Sequence, residues 1–159
     1  GHYGKYKIES YKYLTNIFKK HGINSSTAIL FNHDSVNRGK KFLIPRLIKA
    51  FIKKDKKSIE KIFALNISGD FSNAEDICDG IYKLSISSKK IDKIILSSGK
   101  RFYINQLIDY LSKKFSFKIK KGIKLKQSNH KIIGSNLLAI NKIKYRNKKN
   151  IFDIIEKKI

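Results

Sequence analysis

The chain has 159 residues and a formal net charge of +24, from 36 Lys and Arg against 12 Asp and Glu. This length suffices for one domain with a real core, or for a piece of a larger one. No apolar run approaches the roughly 20 residues of a membrane span, and the start has no signal-peptide pattern. The single cysteine, Cys78, excludes an internal disulfide. We therefore expect a cytoplasmic protein without membrane segments, in which Cys78 is a small core residue.

The high positive charge raises the question of a nucleic-acid partner. Only four of the basic residues are arginines, and the lysines are scattered along the chain with no block longer than a pair. The sequence also lacks the alternation of aromatic and basic residues found in RNA-binding sheets, and it has no helix-turn-helix signal. Nucleic acid is therefore not the expected partner. A non-catalytic basic nucleic-acid-binding protein remains an alternative.

The histidines give no metal-site pattern. His2, His21, His33 and His130 are far apart, and none has a Cys or carboxylate neighbour at the spacing of metal ligands. Structural and catalytic zinc sites require such grouped ligands. The sequence therefore predicts no bound metal.

The first third of the chain is predicted to form a helix, a strand, a polar loop and a second helix. Apolar residues recur every three or four positions over residues 4–20, and Gly22 follows where a left-handed backbone conformation ends a helix. Residues 27–31 form a short apolar run typical of a buried strand. Residues 42–54 return to the helical period, with Pro45 in the first turn. The polar loop between them follows the carboxyl end of a strand, where ligands bind in open α/β sheets.

The remaining elements alternate in the same way, which predicts an α/β fold. First come an extended segment at 58–67, a turn at 69–71 and a helix that begins with a capping box at Ser72 and Glu75 and ends at Ser85. A strand at 91–96, a helix at 103–115 and an extended pair at 117–125 follow. The last two elements are a helix at 136–143 and a helix that is capped by Asn150 and runs to Ile159.

A Tyr-x-x-x-Lys pattern occurs at the start of the first helix, at Tyr3 and Lys7. Positions four apart share one face of a helix, so the Lys7 ammonium can stabilise a Tyr3 phenolate and lower the pKa of that hydroxyl. This is how a tyrosine becomes a useful base. The same spacing arises by chance in a lysine-rich chain, at Tyr110/Lys114 and Tyr145/Lys149.

The loop after the first strand carries a more specific motif. It reads Leu-Phe-Asn-His-Asp-Ser over residues 30–35, followed by Arg38-Gly39 and Phe42. Together with Tyr3 and Lys7, this order resembles the extended short-chain dehydrogenase/reductase (NAD-dependent epimerase/dehydratase) superfamily. Within it, the motif is most similar to that of the GDP-mannose 4,6-dehydratases, which have Glu where this chain has Asp34. Weaker matches follow in residues 70–76, 94–99 and 133–145.

This resemblance implies the fold and the reaction. It implies that residues 1–159 are a single partial domain: the carboxyl-terminal part of a Rossmann-like parallel sheet with a smaller substrate-binding subdomain. It implies an NADP-dependent (or NAD-dependent) lyase that converts GDP-mannose to GDP-4-keto-6-deoxymannose and forms a homo-oligomer. A nucleotide-sugar epimerase or reductase of the same superfamily is the alternative.

The resemblance also implies roles for individual residues. Tyr3 is expected to be the catalytic base on the sugar hydroxyl, and Lys7 to hold the nicotinamide ribose and assist Tyr3. The other residues it implies are His33 and Arg38 at the cofactor, and Asn32 and Arg46 at the nucleotide sugar.

The sequence departs from the family pattern at several points. It contains no glycine-rich dinucleotide-binding loop, and the Ser/Thr and Glu that complete the family's active site would lie upstream of Gly1. Gly69 stands where the family usually has an Arg, and Tyr103 where a helix-capping Ser is usual. We therefore expect the isolated chain to have negligible activity, with an open sheet edge and exposed apolar faces.

Overall fold

A computed structural model describes residues 1–119, 122–127 and 132–159 of the chain. In these segments, helices and strands alternate, which confirms the α/β prediction. The elements are α1 (His2–Lys20), β1 (Thr27–Leu30), β2 (Asn32–Asp34), α2 (Leu43–Ile52), α3 (Lys56–Ala64), β3 (Ser68–Asn73), α4 (Ala74–Ser85), β4 (Lys93–Leu96), β5 (Arg101–Tyr103), α5 (Ile104–Lys114), α6 (Leu137–Ile143) and α7 (Ile151–Glu156). None of the helices in the described segments has the length and apolar character needed to cross a membrane.

The strands form two small sheets that meet at Phe31. In the first sheet, β1 and β4 pair in parallel, with Leu30 opposite Leu96. In the second, β3 lies between β2, which is parallel to it, and β5, which is antiparallel. Phe31 is the single residue between β1 and β2, and its N–H donates to the Leu96 carbonyl at 3.2 Å. The chain thus passes from one sheet directly into the other.

Two hydrophobic cores support these sheets. The larger core lies among α2, α3, α5 and α7, and its buried side chains are mainly Ile and Leu. Phe51 of α2 is fully buried there and packs against the rings of Phe115 and Phe117. The smaller core joins α4, β4 and α6 through Ile77, Leu96 and their neighbours. Burying one such side chain contributes roughly 1.5–3 kcal/mol, so these two clusters are the main source of stability.

Tyr145 closes the smaller core at a point where the backbone must come close. A Cβ on Gly80 of α4 would lie 2.8 Å from Tyr145 Cδ2 and 3.0 Å from the Leu96 methyl carbons. Only glycine leaves room for this contact. Burial, followed by the nearby charge of Asp76, raises the pKa of the Tyr145 hydroxyl to about 12.

Several predicted elements are confirmed. The predicted helices match α1, α2, α4, α5, α6 and α7 to within a few residues, and the strands at 27–31 and 91–96 match β1 and β4. Gly22 has a φ of +65°, as its place after α1 predicts. Asn150 caps α7 in a reciprocal pair with Asp153, with N···O distances of 2.8 and 3.1 Å. The predicted extended pair at 117–125 includes residues that lie outside the described ones.

Three predictions about local structure are wrong. Residues 58–67 are mostly helical, because the Asp55 carboxylate accepts from the Ser58 N–H at 3.1 Å and so caps α3. The predicted turn at 69–71 lies inside β3. The cap of α4 is Asn73, whose side chain accepts from the Glu75 N–H at 2.9 Å, and Ser72 instead belongs to β3.

One prediction about burial is also wrong. Cys78 is exposed, whereas the preceding Ile77 of α4 is buried, because successive residues of a helix face different directions. The apolar stripe of α1 contains no buried residue, and Ile8 is 58% exposed and Leu14 46%. The cores described above lie among other elements, so this stripe remains open to solvent.

Candidate functional site

A cleft of about 780 Å³ opens where β1 passes into β2. Its walls come from several elements because the sheet junction draws them together. They consist of residues 29–34, 42–44 and 67–69, together with Tyr3, Arg38, Phe71 and Ile132. This volume is typical of small-molecule sites in proteins.

Arg38 supplies the positive charge of this cleft. Its guanidinium carbon lies 3.6 Å from the centroid of the Phe42 ring, so the planar group stacks on the aromatic face. Its Nε is buried and has no hydrogen-bond partner among the described residues. An unpaired buried donor on a cation is costly, which makes this atom a position for an acceptor from a ligand.

Asp34 is near Arg38 and has only 5% of its surface exposed. Its carboxylate accepts from the Ser35 N–H at 2.7 Å. Burial raises the pKa of this carboxyl above its ordinary value, against the opposing effects of the Ser35 N–H and of Lys158, Arg38 and His33. These three charge interactions and one hydrogen bond thus only partly offset the loss of water around Asp34.

Strand β2 contributes the polar side chains of Asn32 and His33 to the lining of the cleft. His33 Nδ1 lies 2.9 Å from the Phe31 carbonyl oxygen. Since a carbonyl only accepts, Nδ1 carries the proton, and Nε2 of a neutral ring can accept from a ligand. Asn32 donates from Nδ2 to the Asp70 carbonyl at 3.2 Å. Among the described residues, the Asn32 amide oxygen accepts no hydrogen bond, so it can accept one from a ligand.

Asp70 of β3 holds the two sheets together behind the cleft. Its carboxylate is fully buried and accepts four hydrogen bonds. Oδ1 accepts from the Ser98 N–H at 2.8 Å and the Ser98 hydroxyl at 2.6 Å, and Oδ2 accepts from the N–H groups of Gly99 at 3.0 Å and Gly134 at 3.3 Å. Because Ser98 follows β4 of the first sheet, this side chain fixes that sheet against β3.

The structure brings four of the six sequence-predicted site residues to this cleft, namely Tyr3, Asn32, His33 and Arg38. Tyr3 is 76% exposed, and the Lys7 amine lies 5.6 Å from the centroid of its ring. Lys7 therefore approaches Tyr3 as the helical spacing predicts, although it is not among the described residues that line the cleft. Arg46 is exposed on α2 and does not line it either, so its role stays a prediction.

Several residues of the cleft gave no clear sequence signal. Phe42 was seen as part of the motif, but its stacking on Arg38 was not foreseen. Gly69 and Phe71 reach the cleft because β3 pairs with β2, and the sequence had placed them in a turn. The rule that charged and aromatic residues stack could have suggested the Arg38–Phe42 contact.

The donor set of the cleft fits one end of a dinucleotide cofactor. The unpaired Arg38 Nε suits a phosphate or ribose oxygen, and His33 Nε2 suits a hydroxyl. The 159-residue sequence has no Gly-x-Gly-x-x-Gly loop to hold a pyrophosphate, so these residues could hold only part of such a group. Across the described segments, no three His, Cys, Asp or Glu side chains are grouped as metal ligands.

Comparisons with known proteins bear on the family and the fold of the chain. The family model described as GDP-mannose 4,6 dehydratase matches residues 2–156. No curated protein sequence matches the chain at a significant level.

Solved structures show the same fold at low sequence identity. RMD from Pseudomonas aeruginosa, in complex with NADPH, has a TM-score of 0.72 and 15% sequence identity, and the match covers 95% of this chain and 52% of the RMD chain. UDP-glucuronic acid 4-epimerase from Bacillus cereus, in complex with NAD, has a TM-score of 0.70 and 17% identity over 92% and 47%. UDP-N-acetylglucosamine 4-epimerase from Methanobrevibacter ruminantium M1, in complex with UDP-N-acetylmuramic acid, has a TM-score of 0.64 and 18% identity over 96% and 50%. The chain thus spans about half the length of these proteins and has the fold of a Rossmann-like part of them.

Proposed function

This chain belongs to the GDP-mannose 4,6-dehydratase family, and we propose that it forms the sugar-binding and base-carrying part of a nucleotide-sugar 4,6-dehydratase. The proposed substrate is GDP-mannose, and the proposed cofactor is NADP. The observation that carries the proposal is the cleft at the sheet junction, which Tyr3, Asn32, His33 and Arg38 share. A hydroxyl, an amide, an imidazole and a guanidinium at one cavity are the groups that a sugar, a ribose and a phosphate require.

Each side chain has a distinct proposed task. A nicotinamide cofactor bound here would supply the hydride acceptor and donor for the reaction at the sugar. Tyr3 would take the proton of the C4 hydroxyl, and the Lys7 ammonium beside it would favour the phenolate form. Arg38 would pair with a phosphate or ribose oxygen of the cofactor, and stacking on the Phe42 ring would fix the orientation of its guanidinium group. His33 would accept from a cofactor hydroxyl, and Asn32 would hydrogen-bond the sugar nucleotide.

A 4-epimerase is the second candidate. Epimerases that act on UDP-sugars are among the solved structures with this fold, although identities below 20% carry the fold alone. Gly69 also leaves the cleft without the arginine that is usual in dehydratases. The two reactions differ at C6, because a dehydratase removes the C6 hydroxyl as water whereas an epimerase keeps it. Product analysis of any turnover with GDP-mannose therefore separates them.

The first experiment measures binding by NMR titration of the 159-residue chain with NADPH. We expect Arg38→Ala to weaken binding about 10-fold to 100-fold, since hydrogen bonds to charged groups contribute roughly 1.5–3 kcal/mol. Arg146→Ala is the matched control, because Arg146 is exposed and does not line the cleft. Equal affinity of the Arg38 variant and the wild type would remove Arg38 from the cofactor site.

The second experiment measures turnover by the same chain. With NADP and GDP-mannose, we expect no keto-sugar above background, because the 159 residues contain no glycine-rich pyrophosphate loop. A titration with GDP-mannose alone should nevertheless shift the resonances of Asn32 and Tyr3. Keto-sugar formation by the 159 residues would contradict the first expectation. Unshifted Asn32 and Tyr3 resonances would contradict the substrate assignment.

A further inference from the structure

A second cavity, of about 540 Å³, shares Arg38 with the cleft and is otherwise separate from it. We call it the basic groove. It lies among the loop after β2, the outer face of α2 and the two residues that follow α7. Its cationic side chains are Arg38, Lys40, Lys49, Lys157 and Lys158.

The charge of this groove is not simply the lysine content of the chain. Lys and Arg are 36 of 159 residues overall, yet they are 5 of the 10 residues that line the groove and 1 of the 16 that line the cleft. No Asp or Glu is among the described residues that line the groove. The fold therefore gathers cations from three separate stretches of sequence at one concave surface.

Nearby negative groups offset only part of this charge. The Lys158 amine donates to the Arg38 carbonyl at 3.0 Å and lies close enough to Asp34 to lower its pKa. Lys157 approaches Glu75, but the Glu75 carboxylate already pairs with Lys149. Helices α2 and α7 end at the groove, and each terminus carries roughly half a negative charge. These contributions leave the groove with a net positive charge.

The base of the groove is apolar. Pro45, Ile48 and Ile52 of α2 line it, and Ile52 is 56% exposed. A cavity of this volume falls in the range of small-molecule sites, roughly 300–1,000 Å³. A cationic rim above an apolar base suits a compact anion that can carry an apolar or planar substituent.

We propose that the basic groove binds a small molecule through a diphosphate group, with Lys49 and Lys157 among its ligands. The shared chemistry is the diphosphate, which a free inorganic ion or a nucleoside diphosphate can supply. This inference goes beyond the function proposed above, because Lys40, Lys49, Lys157 and Lys158 do not line the cleft.

The test is an NMR titration of the 159-residue chain with inorganic pyrophosphate at 150 mM ionic strength, approximately the physiological value at which exposed charges are screened beyond about 8 Å. We expect saturable shifts at Lys49 and Lys157, and a Kd that rises about tenfold or more in the double variant Lys49→Gln/Lys157→Gln. The control is Lys61→Gln/Lys142→Gln, which removes the same charge from the last turns of α3 and α6. The control should change the Kd by less than about twofold.

Two further arms identify the source of the ligand. If uridine diphosphate binds more tightly than pyrophosphate, the ligand of the groove is a nucleotide. If the two affinities are equal, the ligand is a free diphosphate. Both outcomes support the proposal that the groove binds a diphosphate. Absence of saturation, or equal loss in the groove and control variants, would overturn the proposal. So would a duplex DNA that saturates the same resonances at concentrations where pyrophosphate does not bind.

The outcome is independent of the proposed enzyme function. The double variant Lys49→Gln/Lys157→Gln leaves every residue of the cleft in place, so it should bind NADPH as the wild type does. If the wild type fails to bind NADPH, the function proposed above fails, while the pyrophosphate titration still decides the groove.

Discussion

Asp70 gives the sharpest prediction from this structure. Asp70→Ala removes one fully buried carboxylate and leaves three backbone N–H groups without their acceptor, whereas the Ser98 hydroxyl can still donate to the Lys100 carbonyl at 3.2 Å. A buried donor that loses its partner costs roughly 1–3 kcal/mol, and such costs are not additive within one network. We therefore expect a loss of about 4 kcal/mol in the free energy of unfolding. That is a large share of the roughly 5–15 kcal/mol typical of a domain.

The isosteric variant Asp70→Asn gives a graded result. An amide keeps one oxygen for the two Ser98 donors but turns an NH₂ toward Gly99 and Gly134, so we expect a loss of about 2–3 kcal/mol. Urea unfolding at pH 7, followed by far-UV circular dichroism, measures both variants. Asp92→Asn is the control, because Asp92 is 74% exposed and its contact with Lys93 is 4.0 Å long; it should change the free energy by less than about 0.5 kcal/mol.

Two results would refute this reasoning about Asp70. The first is a loss below about 1 kcal/mol for Asp70→Ala, which would mean that water replaces the carboxylate at its donors. The second is a loss for Asp70→Asn as large as that for Asp70→Ala. A retained oxygen at Ser98 would then contribute nothing, and the four hydrogen bonds would not act as the structure indicates.

Three other changes test separate parts of the fold and cleft. Gly80→Ala places a Cβ 2.8 Å from Tyr145 and should lower stability by about 1–3 kcal/mol in thermal unfolding, whereas Gly39→Ala, with 3.9 Å of room, should not. The Cβ of an arginine at position 69 would meet no atom closer than 3.5 Å, and Gly69→Arg adds a second cation to the cleft, so GDP-mannose should bind about tenfold more tightly by calorimetry. Because burial raises the pKa of Asp34, the folded state holds its proton to higher pH than the unfolded state, and this residue's contribution to stability falls as pH rises from the unfolded to the folded pKa. Asp34→Asn should therefore gain stability over the wild type as pH rises through that interval, and unchanged relative stability from pH 3 to pH 7 would contradict the assignment.

The helices could be predicted because their buried faces are regular. In α2, Leu47 and Phe51 lie one turn apart and are both fully buried, and Leu107 and Leu111 do the same in α5. Such spacing can be recognised in the sequence without knowledge of the surroundings of the helix, since it depends only on the helical period. The stripe of α1 shows the limit of this reasoning. The same period predicts a helix correctly but does not state whether another element covers it.

The second sheet could not be predicted because its strands are short and polar. β3 reads Ser-Gly-Asp-Phe-Ser-Asn, and glycine with aspartate normally indicates a turn. Its polar side chains are buried because other parts of the chain supply their partners, as the loop after β4 does for Asp70. Those partners are 28 or more residues away in sequence. No local pattern can reveal them.

The sequence predicted those parts of the candidate site that come from short continuous motifs. The order Asn32, His33, Arg38 identified one wall of the cleft, and the Tyr-x-x-x-Lys pattern identified Tyr3 in a second. The third wall consists of residues 67–69 and Phe71, and it forms only when β3 pairs with β2. The sequence analysis had assigned those residues to an extended segment and a turn, so it did not predict this wall.

The two buried carboxylates near the cleft, Asp70 and Asp34, differ in how fully the surrounding groups stabilise them. Asp70 accepts four hydrogen bonds from neutral groups, so its environment is complete without any ligand. Asp34 has the Ser35 N–H and the charges of Arg38 and Lys158, and burial still raises its pKa. A ligand anion that pairs with Arg38 would compete for the charge that stabilises Asp34. Asp70 can therefore keep the sheet junction fixed, while an anion bound at Arg38 would raise the pKa of Asp34 further.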